Sequence, residues 1–478
     1  MEKQTISSRA KIPMNNILLI LPNNPGDVLM GLEVASALKE KHPESKLFYA
    51  VDEESAQLVA LFSQVDEVVV LPRKKMNQSA MHTEKLKIYE EFIEQILNIE
   101  FDWAINLFQD EAGAAFLSLV KALKKTGPQR APHSQEPQIQ INDFWTSYLW
   151  AIPAARTQNP FHAVDIYKKI CGLSPRSHLN KPKDTGLSVP LPQRFWCFQV
   201  GSAWIGKRWP LEHFAQFINM CLDQGDFDIL LIGSPEEQQD AQFLVEQCQK
   251  SQKHKIHNFC GKTKLHDVFS LLKNALGLIT GDTFAMHAGA LLCPVYALFG
   301  ASSPKETGPY GAQHWIIQAK SEENENFIFE EAHFGLQNLS AQSVFDFIFH
   351  QKISPKIQVF QTQTHPIFKT QYLKKVPQSL MIEDNALESP TLTSRQMDRL
   401  FSELQELKNH NNQNASFASL KLSQKLMEAW QLEAEHSLLA EQYCILMNSL
   451  NFENPRTHIS QRISCIENLI HFLVERRS

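Results

Sequence analysis

The stretch NILLILPNNPGDVLMGLEVASALKEKH (residues 16–42) contains the pattern on which the predicted fold depends. A short apolar run, ILLIL at 17–21, is followed by turn residues and then by a helical pattern. Apolar runs of this length separated by helices are typical of parallel strands that are covered on both faces. The stretch therefore predicts one strand–helix step of an α/β sheet.

The same alternation continues to about Leu173 and begins again after a linker. The linker at 173–193 is rich in proline and lysine, which breaks the rhythm. Two consecutive α/β halves predict two facing Rossmann-like domains, at 15–175 and 190–352, with ligands at the carboxyl ends of the strands. The other predicted strands are 47–51, 67–71 and 103–107 in the first half, and 195–200, 227–233, 276–280 and 295–300 in the second.

The α/β rhythm stops after about residue 352. Beyond the mixed region 354–392, three amphipathic helix patterns predict a helical bundle extension at 390–478. This extension is either an appendage that packs against the two domains or a module that docks a protein partner, and the pattern leaves both alternatives open.

Composition narrows the class of protein. Of the 478 residues 43% are hydrophobic and 21% are charged, as in globular proteins, and the net charge of -6 argues against a dedicated nucleic-acid binder. The eight cysteines are scattered without a C-x-x-C pair, which argues against a disulfide framework or a zinc site and indicates reduced thiols. The N-terminus has no apolar core of signal-peptide length and no run approaches the length of a membrane span, so we expect a cytoplasmic protein.

Two features of the first half have both a structural and a functional interpretation. Asp27 ends the turn NNPGD (23–27) after the first predicted strand, where it is either a cap of the next helix or a catalytic carboxylate. The basic segment PRKK (72–75) is either a solvated face or a contact for an anionic ligand.

The second half contains two segments suited to phosphate binding. In VGSAWIGKRWPLEHF (200–214), Gly201 and Ser202 allow a tight turn at a strand end, and Lys207 and Arg208 add positive charge. The alternative is a Lys-Arg pair that merely precedes a helix.

In TGDTFAMHAGALL (280–292), Asp282 and Thr283 are predicted to cap a helix whose N-terminal turn would face an anion. Thr283 could also donate its hydroxyl to a phosphate. His287 lies one turn further along, where it is either part of the same site or a hydrogen-bonded core histidine.

Two further segments refine the class of ligand. In IGSPEEQQ (232–239), Glu236 or Glu237 could accept hydrogen bonds from ribose hydroxyls, although a carboxylate that caps the next helix explains the pattern as well. CGKT (260–263) resembles the end of a P-loop, but Ile256 occupies the position that requires glycine, which argues against an NTPase. No G-x-G-x-x-G follows the first strand, which weakens a dehydrogenase interpretation.

Six segments, taken in order, resemble glycosyltransferase family 9, the heptosyltransferase-like enzymes of lipopolysaccharide core assembly, over about residues 15–350. The resemblance implies a GT-B fold in which the N-terminal domain binds the acceptor and the C-terminal domain binds the nucleotide-sugar donor. It also implies an inverting, metal-independent reaction without a cofactor, in which the nucleotide sugar is a substrate. The segments are 17–43, 159–173, 201–214, 232–237, 261–291 and 294–311.

The resemblance also assigns roles to individual residues. It implies that Asp27 is the general base that deprotonates the acceptor hydroxyl, and that Glu236 contacts the nucleoside. The residues that it places around the donor phosphates are Ser202, Lys207, Asp282, Thr283 and His287. Where the family has a glycine after Asp-Thr, this chain has Phe284, which alters the shape of the donor pocket.

The leading hypothesis is the transfer of a sugar, heptose from ADP-heptose, to a lipopolysaccharide-core or other glycan acceptor. A lipid-linked acceptor would bring the protein to the inner face of the inner membrane. One alternative is a non-catalytic nucleotide-sugar-binding protein whose helical bundle docks a partner. Phe284 and the C-terminal extension motivate this alternative. Another is a GT-B-like sugar-nucleotide epimerase, which would need no acceptor.

Overall fold

The computed structural model describes residues 14–78, 82–130, 139–141, 143–152, 159, 161–173, 179–184, 186–187, 190–319, 335–362 and 373–375. The predicted helical extension at 390–478 lies outside the described residues. The described residues form two compact units, one within Met1–Gln140 and Ser177–Asn180 and the other within Ile141–Arg176 and Lys181–Ser478. The short helices between 141 and 171 thus belong to the unit of the second sheet, whereas the predicted first domain extends to 175.

The first unit contains a five-stranded sheet in which every neighbouring pair is parallel. The strand order is β3–β2–β1–β4–β5, the order of a Rossmann half. Its elements are β1 (Asn16–Ile20), α1 (Pro25–Lys41), β2 (Lys46–Asp52), α2 (Glu53–Val59), β3 (Glu67–Leu71), α3 (Arg73–Gln78), α4 (His82–Leu97), β4 (Phe101–Asn106), α5 (Glu111–Leu119) and β5 (Ala122–Thr126), followed by a two-stranded ribbon, β6 (Gln129–Arg130) with β7 (Ile139–Gln140).

The second unit contains an eight-stranded sheet ordered β10–β9–β8–β11–β12–β13–β14–β15. The strands from β10 to β13 are parallel in Rossmann order, and β14 and β15 extend the sheet antiparallel. Its elements are α6 (Phe144–Ala151), α7 (Ala163–Ile170), β8 (Phe195–Gln199), α8 (Leu211–Gln224), β9 (Asp228–Ile232), α9 (Gln238–Glu246), β10 (Ile256–Asn258), α10 (Asp267–Leu272), β11 (Leu278–Thr280), α11 (Phe284–Ala290), β12 (Val295–Leu298), α12 (Pro304–Thr307), β13 (Trp315–Ala319), α13 (Ala341–His350), β14 (Ile357–Thr362) and β15 (Leu373–Lys375).

The apolar runs identified in the sequence become the central strands of both sheets. Residues 17–20 of β1 are at most 1% exposed because β2 and β4 flank the strand. The corresponding core of the second unit is rich in aromatic side chains, among them Phe198, Trp209 and Phe217. The predicted α/β class with two Rossmann-like sheets is therefore confirmed.

One glycine fixes how β4 and β5 end in the first sheet. Gly127 directly follows β5 with φ of +100°, and a Cβ at this position would overlap the backbone carbonyl of Asn106. The Asn106 side chain spans the same corner, since its Nδ2 donates to Pro128 O at 2.9 Å and its Oδ1 accepts from Phe108 N at 3.0 Å. Because Leu107 N also donates to Ile20 O at 3.0 Å, this corner adjoins the end of β1.

We expect Gly127→Ala to destabilise the protein more than Gly172→Ala. Gly172 also has positive φ, +58°, but an added Cβ there meets no described atom within 4 Å. Gly172→Ala should cost about 1–2 kcal/mol of unfolding free energy, the cost of a left-handed backbone alone. Gly127→Ala should cost roughly twice as much, because the backbone must also shift. Denaturant unfolding measures both values, and equal costs would contradict the close approach.

Candidate donor and acceptor sites

In each sheet the strand order reverses once, and loops on both sides of that point meet at the carboxyl edge. The reversal lies between β1 and β4 in the first sheet and between β8 and β11 in the second. Parallel α/β sheets bind ligands at such points. Asp27 follows β1, Lys207 follows β8 and Asp282 follows β11, so the topology brings these three predicted residues to the two switch points.

Asp27 lies inside the first turn of α1. The helix begins at Pro25, which suits the first helical position, and its N-cap residue is Asn24. Asp27 is therefore the third residue of the helix and not its N-cap residue, a position from which a carboxylate can still cap the first turn. Its side chain is partly exposed at the edge of the first sheet. A negative charge here is favoured by the helix dipole.

Arg73 joins three loops at the same edge of the first sheet. From the start of α3 its NH1 donates to Pro22 O at 2.6 Å and lies 3.2 Å from Asp52 Oδ2. The guanidinium also lies over the Phe108 ring, 5.6 Å from its centroid. Burial raises the pKa of Asp52 to about 6, although Arg73 opposes the shift. The segment PRKK thus supplies a cation to the edge that carries Asp27, a role that the sequence left open.

Lys207 and Asp282 form an ion pair across the switch point of the second sheet. Lys207 ends a 3-10 turn after β8, and its Nζ lies 2.6 Å from Asp282 Oδ2. The two side chains are 17% and 6% exposed. Thr307 Oγ1 donates to the same carboxylate oxygen at 3.2 Å. Burial, the largest single effect, would raise the pKa of Asp282, but the charge and hydrogen bond of Lys207 and the other neighbours of the carboxylate together outweigh it, so the pKa is lowered.

The predicted capping of α11 is wrong. Asp282 is committed to Lys207, and Thr283, the N-cap residue, makes no side-chain capping hydrogen bond. Thr283 Oγ1 instead lies 3.1 Å from Thr280 Oγ1. The helix has only seven residues and hence no long helix dipole. Any contact of Thr283 with an anion would therefore depend on its position at the strand end.

Two side chains of α11 belong to the predicted phosphate-binding segment 280–292. His287 is buried, which lowers its pKa to about 4, and its Nδ1 has no hydrogen-bond partner among the described residues. It is therefore a buried, neutral histidine at neutral pH, and the two alternatives, part of the site or a core histidine, stay open. Phe284 is partly buried, and its ring packs edge-to-face on Phe269 of α10, with centroids 6.1 Å apart.

Ser202 and Arg208 shape the loop that carries Lys207. Ser202 is buried, and its Oγ accepts a hydrogen bond from Trp204 N at 3.3 Å. Arg208 Nε donates to the carbonyl of Ser202 at 2.7 Å, so Arg208 closes this loop. Lys207 and Arg208 line a concavity at the switch point together with Gly201 and Gly281.

Glu236 and Glu237 have different environments. Glu237 forms a capping box with Ser234, is 4% exposed, and accepts hydrogen bonds from Ser234 N at 2.7 Å and from Gln199 Nε2 at 3.2 Å. Its carboxylate occupies the space where Gly201 and Gly233 would carry a Cβ, so a larger residue at either position would displace the Glu237 carboxylate. The capping interpretation thus applies to Glu237, while Glu236 is exposed beside it.

Replacing Lys207 by Met should reverse the pH dependence that Asp282 contributes to stability. In the native protein the pKa of Asp282 is lower than its value of 3.8 in the unfolded chain, so ionised Asp282 stabilises the fold above pH 3.8. This stabilisation is lost as the pH falls through the folded pKa. Without Lys207, burial raises the pKa, so stability should fall as the pH rises from about 4 to 7. At pH 7 the loss should be about 3–5 kcal/mol.

Urea unfolding between pH 3 and 7 measures this reversal. Lys207→Arg keeps the charge and is the matched control, for which we expect the native direction. A Lys207→Met protein with the native pH dependence would show that Lys207 does not hold the charge of Asp282.

Within the described part of the chain, no group of three His, Cys, Asp or Glu side chains is arranged to hold a metal ion. In the same residues, no helix is long and apolar enough to cross a membrane.

Comparisons with solved structures bear on the fold. The ADP-heptose lipopolysaccharide heptosyltransferase II of E. coli superimposes with a TM-score of 0.52 at 18% identity, covering 69% of this chain and 96% of that one. A family 9 glycosyl transferase from Veillonella parvula DSM 2008 gives a TM-score of 0.54 at 22% identity, covering 70% and 95%. At these identities the likeness shows the fold, and it confirms the predicted GT-B class.

Comparisons of sequence bear on the family. Lipooligosaccharide heptosyltransferase 2 of Haemophilus ducreyi is 23% identical over 333 residues, which cover 63% of this chain and 88% of the relative. The protein of the same name from Haemophilus influenzae is 31% identical over 113 residues, which cover 23% of this chain and only 32% of the relative. The family model described as glycosyltransferase family 9 (heptosyltransferase) matches residues 90–333, just over half of the chain. The chain therefore belongs to glycosyltransferase family 9, the heptosyltransferases.

Proposed function

We propose that the protein transfers heptose from ADP-heptose to a lipopolysaccharide-core or other lipid-linked glycan acceptor, with inversion at the anomeric carbon. The second unit binds the donor and the first binds the acceptor. The observation that carries the proposal is the Lys207–Asp282 pair at the switch point of the second sheet, in a chain of this family. The names of the relatives support heptose as the sugar.

The donor diphosphate is bound by the cation at the switch point. Lys207 Nζ donates a hydrogen bond to Asp282 Oδ2 at 2.6 Å, and the charge of its ammonium group attracts the diphosphate. The carboxylate thereby orients Lys207, which faces the concavity at 17% exposure. Ser202, Thr283 and His287 surround the same strand ends as further phosphate contacts, with His287 neutral. Glu236, exposed at the end of β9, accepts hydrogen bonds from the nucleoside.

Asp27 acts as the general base. Its carboxylate takes the proton of the acceptor hydroxyl, whose oxygen forms a bond to the anomeric carbon while the bond to the diphosphate breaks on the opposite face. The nucleoside diphosphate leaves with the electron pair, and Lys207 stabilises the charge that develops on it. In this proposal the reaction needs neither a metal nor a cofactor.

The non-catalytic alternative has less support. It was motivated by Phe284, a bulky residue in the donor loop, and by the C-terminal extension. The Phe284 ring packs against Phe269, so its bulk is accommodated by α10. Association with the inner face of the membrane stays part of the proposal, because it follows from a lipid-linked acceptor.

We expect Asp27→Asn to lower the rate of sugar transfer by about 10²–10⁴-fold, since the amide cannot accept the proton. ADP affinity should stay unchanged because Asp27 belongs to the first unit. ADP release from ADP-heptose with heptose-deficient lipopolysaccharide, together with calorimetric titration of ADP, measures both quantities.

Glu40→Gln is the matched control, since Glu40 is an exposed carboxylate near the other end of the same helix. It should leave the rate unchanged. An Asp27→Asn enzyme with the native rate would remove Asp27 from the role of base.

The adjacent pair Glu236 and Glu237 offers a second test. Glu236→Gln should weaken ADP binding by roughly tenfold, the value of one lost hydrogen bond to a charged group. Glu237→Gln should instead lower the unfolding free energy, because its carboxylate holds the capping box and packs against Gly201. Calorimetric titration and thermal unfolding separate the two effects. If Glu237→Gln weakened ADP binding and Glu236→Gln did not, the nucleoside contact would belong to Glu237 instead of Glu236.

A further inference from the structure

A buried polar cluster in the second unit has no role in the proposed chemistry. It consists of His162, Asp165, Lys168 and Tyr310, of which His162 and Lys168 are 0% exposed and Asp165 is 5% exposed. Burial of such groups is costly unless each is hydrogen-bonded or paired. The cluster joins α7 to the segment that follows α12, and α12 contains Thr307, the hydroxyl donor to Asp282.

His162 connects the two segments through both ring nitrogens. Its Nδ1 accepts a hydrogen bond from Val164 N at 3.2 Å, which caps α7. The proton therefore resides on Nε2, which donates to Gly308 O at 2.9 Å. Burial lowers the pKa of His162 to about 3, so the ring stays in this neutral form at physiological pH. One side chain thus caps a helix and holds a carbonyl of the neighbouring loop.

Tyr310 strengthens the same connection. Its ring lies against His162 with centroids 4.8 Å apart, and its hydroxyl donates to Asp165 Oδ1 at 2.8 Å. Lys168 Nζ lies 3.4 Å from the same hydroxyl oxygen. His162, which caps α7, and Asp165 and Lys168 within α7 therefore hold the segment 308–310 in place.

The fixed backbone leads directly to the donor site. Gly308 N donates to Pro304 O at 3.0 Å, and a Cβ on Gly308 would overlap that oxygen, so the turn is tight. Thr307 immediately precedes Gly308, and its Oγ1 contacts Asp282 Oδ2, the atom that pairs with Lys207. A shift of Gly308 would therefore displace the Thr307 hydroxyl from Asp282.

We propose that His162 is a positioning residue of the donor site, which holds Gly308 so that Thr307 keeps Asp282 aligned with Lys207. The inference rests on the proposed function, because it treats the Lys207–Asp282 pair as the diphosphate site. His162 touches no substrate and acts through Thr307.

Two substitutions separate the two hydrogen bonds of His162. Asn is a good N-cap residue and keeps the bond from Val164 N, but its side chain is too short to reach Gly308. Gln extends a donor toward the position of Nε2 and keeps the bond to Gly308 O. We expect His162→Asn to weaken ADP binding roughly tenfold and His162→Gln to stay within about threefold of the native protein.

Thr307→Val tests the other end of the proposed connection. It removes the hydroxyl with little change of shape, so it should weaken ADP binding about as much as His162→Asn. In the double variant the effects should not add, because both act through one contact. Calorimetric titration of ADP on the full-length proteins, with thermal unfolding as the check on folding, gives all four values.

The outcomes distinguish the inference from the proposed function. Native-like ADP affinity in Thr307→Val, or equal affinities of His162→Asn and His162→Gln with only stability changed, would overturn the positioning role and leave the donor site in place. A native protein that binds no ADP would overturn the proposed function and the inference together.

Discussion

The ion pair between Lys207 and Asp282 determines how the carboxyl edge of the second sheet is organised. The residues are 75 positions apart, and only the reversal of strand order between β8 and β11 brings their loops together. Asp282 is almost completely buried, so its charge requires a cation close by. The pair also holds an ammonium group at the point where an anionic ligand of such a sheet would bind. In the proposed function, one contact therefore serves both the fold of this edge and donor binding.

The neighbouring polar groups restrict this contact further. Thr307 bonds to the same oxygen of Asp282, and Arg208 closes the loop that carries Lys207. A site whose dipoles are already held in place stabilises developing charge without reorganisation. The first unit has a similar arrangement at its own edge, where Arg73 contacts the carbonyl of Pro22 and the carboxylate of Asp52. In both units a single cation joins loops that are distant in sequence.

The sequence predicted what depends on local pattern. The apolar runs predicted the central strands, and small or charged residues after them predicted the binding edges, because both signals lie within a few residues. The errors arose where the true partner was distant. Asp282 was expected to cap α11, whereas its side chain pairs with Lys207, 75 residues away. His162 lay in a recognised segment, but its contact with Gly308, 146 residues away, has no local signal. The extension at 390–478 lies outside the described residues.

The environments of the carboxylates also bear on which of them could act as a base. Asp282 has a lowered pKa and an oxygen engaged by Lys207 and Thr307, so it is a poor proton acceptor. Asp52 has a pKa raised to about 6, which suits a base, but Oδ1 is buried and Oδ2 contacts Arg73, so neither oxygen is well placed to meet a substrate hydroxyl. Asp27 is partly exposed, as Asp52 is, but it follows β1, a strand at the switch point, whereas Asp52 ends β2. Position at the switch point, rather than pKa or exposure, therefore supports Asp27 as the proposed base.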